Sequence, residues 1–268
     1  MRMKFQKICV IVGVVLIALL VIIALFASYL TKYDPDLVNN EKRLSPPSKQ
    51  YPFGTDNLGR DIETRLFYGL RTSLLVSTIA VIVAMIHGGL WGLVGALLER
   101  YNGKFGKEFN KAVILYARFL SAGPGVLLTL AIASRKVGST GYFAIAVSFA
   151  LVPGFIRVIG GVIMRIKDSP KNVVMAIIAQ ISLSLALALL LSAAISFIGF
   201  GTQRPALDLG VLVSEGRNFI REFTHLIVYP GLALFITALA FNVLGESLTA
   251  TLFLKESGDN NLEGSKNS

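Results

Sequence analysis

The densest group of ionisable side chains in this chain lies in Tyr51–Ser73, YPFGTDNLGRDIETRLFYGLRTS. Asp56 stands between Gly54 and Gly59, and Arg60, Asp61, Glu63 and Arg65 follow at once. The glycine spacing imitates a phosphate-binding loop. The lysine and hydroxyl that such a loop needs to hold phosphate and magnesium are replaced by Arg60 and Asp61, so nucleotide chemistry is not expected here. What remains is ion pairing and helix capping. Pro52 and Gly54 mark a turn, and Thr55 and Asp56 are candidate N-caps. Leu58, Ile62, Leu66 and Leu70 recur every four residues, with the charged side chains largely elsewhere on the wheel. This predicts a short amphipathic helix across Arg60–Arg71, lying on a membrane surface or against a partner. A solvated connector is the plainer alternative.

Elsewhere the residues offer little catalysis. There is no nucleophile elbow, HExxH or GxGxxG, and Ser214, Glu215 and His225 have no spacing that makes a nucleophile–base set. His87 and His225 lie far apart, and the lone Cys9 has no ligand spacing around it, so neither a metal site nor an intrachain disulfide is expected. Glu246 is the single acid inside a predicted span. A proton- or sodium-driven carrier needs an ionisable or unwound midplane site. The polar or helix-breaking positions available are Arg118, Pro124, Pro153, Arg157 and Asn242, with no acid beside the breaks. The reading is a non-catalytic pathway with no cofactor of its own, driven by another subunit.

The elements that must position these residues are membrane spans. The chain is 54% hydrophobic and 16% charged, against about 25% charged in an ordinary soluble domain. A net charge of +10 is expected from loops and span flanks, and without a basic run interleaved with aromatics nucleic acid is not an expected partner. A cytoplasmic N-terminus and first helix take residues 1–30, with the uninterrupted apolar run at Ile8–Leu30. Residues 31–72 form an outer loop, extended at first and ending in the amphipathic segment. A five-helix core takes residues 73–254, with spans near 73–98, 112–133, 141–164, 173–198 and 225–254. Residues 255–268 read as a disordered cytoplasmic tail. The count is six spans with both termini cytoplasmic.

Within the core, Ala80, Ala84, Gly88, Gly92 and Ala96 place a ridge of small side chains on one helix face for close approach by a neighbour. Ser184, Ala188, Ser192 and Ser196 form a similar face, read either as packing or as a polar pathway lining. Helix breaks are expected at Ser121–Gly125 and at Pro153-Gly154. Glu99–Lys111, with its four basic residues, is expected to be a cytoplasmic loop. Arg118 is read as snorkelling or bundle-facing, and Asn242 as an interhelical hydrogen-bonding residue.

The stretch YPFGTDNLGRDIETRLFYGLRTSL closely resembles a segment of the inner-membrane permease subunits of bacterial ABC importers for dipeptides, oligopeptides and nickel. SFIGFGTQRPALDLGVLVSEGRNFI and YPGLALFITALAFNVLGESL extend the resemblance over nearly the whole chain. The matching positions include Gly54, Asp56, Gly59, Arg60, Asp61 and Arg65, and then Gly199, Gly201, Pro205, Glu215, Gly216 and Arg217. The resemblance implies an all-α integral membrane protein with the type I importer permease fold in the bacterial inner membrane. It also implies partners: a homologous second permease, two ATPase subunits that bind the ATP, and an extracytoplasmic substrate-binding lipoprotein. Peptides are the expected substrate, with nickel or a metal chelate as the alternative within the family and a non-transporting assembly partner as the alternative of another class.

One segment departs from the family. Its cytoplasmic "EAA" motif between the fourth and fifth spans is missing, and Met164–Asn172, MRIKDSPKN, runs almost directly into the next apolar run. Gly160 and Val162 also stand where the family usually carries charge. A two-turn docking helix with its connections takes roughly 15 residues, more than the segment holds. Either the subunit docks its ATPase differently, through Glu99–Lys111, or it inserts without coupling.

Overall fold

A computed structural model describes residues 2–164, 170–202 and 206–266. Residues 165–169 of the shortened segment Met164–Asn172, and Pro205, therefore lie outside the described residues. Among the described residues nine α-helices follow in order: α1 (Arg2–Leu25), α2 (Ala27–Leu30), α3 (Ile62–Tyr101), α4 (Gly103–Ser121), α5 (Pro124–Ala133), α6 (Thr140–Met164), α7 (Pro170–Phe197), α8 (Leu209–Gly216) and α9 (His225–Lys266). Five of them are long and apolar enough to cross a membrane, and α4 with α5, bent by 68°, makes a sixth when counted as one broken span.

The core is built on α3. Its ridge of Ala80, Ala84, Gly88, Gly92 and Ala96 is buried, and its largest helix contact is with α6. A Cβ on Gly88 would come 2.5 Å from the carbonyl oxygen of Val152, and one on Gly92 2.7 Å from that of Ile156. The two helices touch backbone to backbone, as small-residue faces allow in a membrane. Val113, Ala117 and Leu120 of α4, Phe143, Val147 and Phe155 of α6, and Ile195 of α7 complete this cluster. A second cluster joins Leu66, Leu70 and Leu74 of α3 to Leu189 of α7, Leu209 and Leu212 of α8, and Phe241 of α9. α1 packs mainly on α9 and leaves most of its apolar surface exposed, as lipid contact requires.

Several element boundaries differ from those the sequence predicts. The amphipathic helix and the second span are one helix, because nothing after Ile62 interrupts the backbone ladder, and Arg65 is buried along with Ile62, Leu66 and Leu70. Glu99–Lys111 is not a loop: only Asn102 separates α3 from α4, and Gly103, at φ +54°, makes the turn. The break at 121–124 is present: Gly123, at φ +120°, ends α4, and Pro124 opens α5 at a position where its missing N–H costs nothing. The expected break at Pro153-Gly154 is absent. Pro153 sits buried inside an unbroken α6, where it removes one hydrogen bond while the helix stays packed against α3, α4, α5 and α7. The segment between the fifth and sixth spans contains a helix, α8, and α9 runs on past Lys255 to Lys266, where the composition predicts disorder.

Candidate functional site

At the end of the bundle where α3 begins, the polar stretch folds into a knot. Gly54 and Gly59 lie in the left-handed region, at φ +78° and +74°, where an L side chain is strained. Neither has room for a Cβ, which would come 2.6 Å from the carbonyl oxygen of Ser45 at Gly54 and would overlap that of Asn39 at Gly59. Residues 39–45 thus thread against the turn. The N–H of Leu44 donates to the carbonyl of Asp56 at 2.9 Å and that of Asn39 to the carbonyl of Leu58 at 3.1 Å, and Thr55 Oγ1 donates to the carbonyl of Lys42.

Asp56 is the centre of the knot. It does not cap a helix; the N-cap of α3 is Asp61, which accepts from the N–H of Thr64 at 2.9 Å and from its hydroxyl at 2.5 Å. Asp56 Oδ1 accepts from the N–H groups of Leu58 and Arg60, at 2.8 and 3.0 Å. Its Oδ2 accepts from Arg60 Nε at 2.7 Å and from Arg65 Nη1 at 2.5 Å. Glu215, on α8, closes the group, accepting from Arg60 Nη2 at 3.2 Å and from Arg65 Nη1 at 2.7 Å. The four formal charges cancel. The two arginines are 1% and 2% exposed, Asp56 8% and Glu215 28%. Burial, and the neighbouring Arg65 charge, push the Arg60 guanidinium below its ordinary value. A cavity of about 20 Å³ lies against Asp56, Arg65 and Glu215, room for about one water molecule.

Four positions of the matched motifs are thereby brought together: Asp56, Arg60, Arg65 and Glu215. Arg60 and Asp61 are buried and hold the fold. Gly199 ends α7 at φ +97°, Gly201 packs on Ser196, and Gly216 is buried at the end of α8. Arg217 is exposed and lies over the ring of Phe197 at 5.7 Å. Asp208 was not singled out by the sequence reading. It caps α8 and accepts from Ser196 Oγ at 2.6 Å, Thr202 Oγ1 at 2.5 Å and the N–H of Val211 at 2.8 Å. Its signal was an aspartate directly before the apolar run LGVLV. Burial holds its carboxyl above the usual carboxylate range, against the opposing pull of those donors.

A second site lies where the helices break. A cavity of about 540 Å³ opens between α4, α5, α6 and α7. Its polar lining is Ser121, Arg157, Gln180 and Ser184, set among leucines, valines and Pro153. Arg157 Nε donates to the carbonyl of Pro153 at 3.2 Å and Nη2 to Ser121 Oγ at 3.5 Å. Gln180 donates to Ser184 Oγ at 3.0 Å. Gln180, the one amide in an apolar run, was the available signal that sequence reasoning passed over. Of the serine face on α7, Ser184 alone reaches the cavity; Ser192 bonds the carbonyl of Leu189 and Ser196 bonds Asp208, so most of that face is packing. Pro124, at the start of α5, and Arg118, exposed on α4, are not among the residues that line the cavity. Asn242 is exposed on α9 and makes no hydrogen bond among the described residues, contrary to the expected interhelical bond.

Residues 7–47 match the family model described as the N-terminal transmembrane domain of oligopeptide transport permease C. The chain is 30% identical over 272 residues to the dipeptide transport system permease protein of Alkalihalophilus pseudofirmus, covering 94% of this chain and 87% of that protein. It is 29% identical over 273 residues to the glutathione transport system permease protein of Pectobacterium atrosepticum, covering 94% and 88%. It is 27% identical over 265 residues to the probable D,D-dipeptide transport system permease protein of Escherichia coli, covering 91% and 87%. These likenesses cover at least 91% of the chain, and by them it belongs to the permease family of bacterial peptide ABC importers, as a multi-pass inner-membrane permease subunit.

Proposed function

We propose that this subunit forms one wall of a peptide pathway, completed by a related second permease. Two ATPase subunits would drive it, and an extracytoplasmic binding lipoprotein would supply the substrate. The observation that carries this reading is the cavity at the α4–α5 bend, which combines apolar walls, a few polar groups and a size suited to a small ligand. The names of the relatives, for dipeptides and glutathione, favour peptides over nickel. In this reading the Asp56–Arg60–Arg65–Glu215 knot faces the outside and holds the pathway mouth rigid, and both termini are cytoplasmic. The basic residues around the α3–α4 turn support that orientation.

One observation favours a second reading, a subunit that inserts but couples weakly. α6 ends at Met164 and α7 begins at Pro170, which leaves far fewer residues than the roughly 15 of a docking helix and its connections. Reconstitution of the chain with its partner subunits in liposomes separates the two. Uptake that depends on the binding protein, with ATP hydrolysis stimulated by it, supports the pathway. An intact complex with neither supports the uncoupled subunit.

A further inference from the structure

Among the described residues, Arg157 is the single charged group in the lining of the α4–α7 cavity, and none of the others carries a carboxylate. Its two hydrogen bonds use Nε and Nη2, and both acceptors, the Pro153 carbonyl and the Ser121 hydroxyl, are neutral. Nη1 has no partner among the described residues. Arg157 is exposed where it lines this space, and its planar fork of N–H donors matches the geometry of a carboxylate.

The surrounding geometry adds to this match. The first turn of α5, whose N–H groups carry the positive end of the helix dipole, borders the same cavity through Val126. Gln180 lies across from Arg157 on α7, brought against α6 because Gly154 has no side chain: a Cβ there would overlap the Gln180 amide. One planar cation, one amide and two hydroxyls thus face a space of about 540 Å³, within the range of roughly 300–1,000 Å³ that small ligands occupy.

We infer that Arg157, with Gln180 and Ser121 beside it, holds the carboxylate end of the substrate as it passes the α4–α5 bend. The pathway then discriminates for the free acid independently of the binding protein. This rests on the proposed function. A partner permease's carboxylate pairing with Arg157 is the competing outcome.

The test uses the complete importer in liposomes, with trialanine and its C-terminal amide as probes. Binding of each to the lipoprotein is first shown by titration, and each is supplied at saturation. Wild type should import the free acid in preference to the amide. Arg157→Gln should lower the ratio of free-acid to amide uptake about tenfold, the size expected for loss of one charge-assisted hydrogen bond. Arg157→Lys should restore part of the ratio, with complex recovery equal to wild type throughout. Equal loss for both probes, or no change in the ratio, overturns the inference while leaving the pathway standing. Loss of the partner permease from the Arg157→Gln complex assigns the arginine to the subunit interface and also overturns it. Failure of wild type to import either bound probe overturns the pathway reading itself, and this inference with it.

Discussion

The buried knot makes the sharpest prediction, through Asp56→Asn. The substitution keeps size and shape and removes one charge. With the amide oxygen at the Oδ1 position, the bonds from the Leu58 and Arg60 N–H groups survive, but the NH₂ group then faces Arg60 Nε and Arg65 Nη1, donor against donor. With the amide turned over, the backbone bonds are lost instead. Either way two guanidinium groups, 1% and 2% exposed, keep Glu215 as their one carboxylate. Removing one partner from a buried ion pair costs about 3–5 kcal/mol, a large fraction of the about 5–15 kcal/mol that holds a typical fold. Thermal unfolding of the purified chain in detergent should show a fall of many degrees. Lys111→Ala, which removes an ion pair with Glu108 that is 70% exposed on both sides, should show none. Adding Arg65→Gln to Asp56→Asn should cost less than the two separate losses summed, because it removes one of the uncompensated charges. An Asp56→Asn protein that unfolds with the Lys111→Ala control would refute the account of the knot as a balanced buried network.

Two further outcomes follow from the packing and from the buried acid. Gly88→Ala, whose Cβ would stand 2.5 Å from the Val152 carbonyl oxygen and 2.9 Å from Phe155 Cβ, should wedge α3 from α6 and cost about 1–3 kcal/mol. Gly161→Ala, with nothing within 4 Å, should raise the unfolding temperature slightly in the same assay, through alanine's better helix propensity. Asp208 is held above its ordinary value by burial, so the folded state keeps its proton where the unfolded state has lost it. Its contribution to stability is therefore complete below about pH 4 and is lost as pH rises through the folded value. Unfolding temperatures of wild type and Asp208→Asn, compared from about pH 4 upward, should show the wild-type advantage declining with pH. A difference that is flat, or that grows with pH, would remove Asp208 from that role.

The sequence by itself determined the membrane class, the approximate spans and the small-residue face of α3. Each is written in a local period or in an uninterrupted apolar run, and the energetics of lipid or of a neighbouring backbone leaves little choice about it. It also singled out the residues of the polar stretch, because charge is rare in this chain, and it marked the Gly123–Pro124 break, where both residues oppose helix continuation. Tertiary structure decided the rest. Arg60 and Arg65 meet Glu215 across about 150 positions of sequence, and no local pattern encodes which acid a cation will find. The same packing kept α6 unbroken through Pro153 and fused the amphipathic segment to the second span. It also turned Arg157 and Gln180, which lie on different helices, toward one cavity. Local sequence states what each helix can bury, and the contacts between helices choose which charges stay buried as partners and which are left facing the cavity.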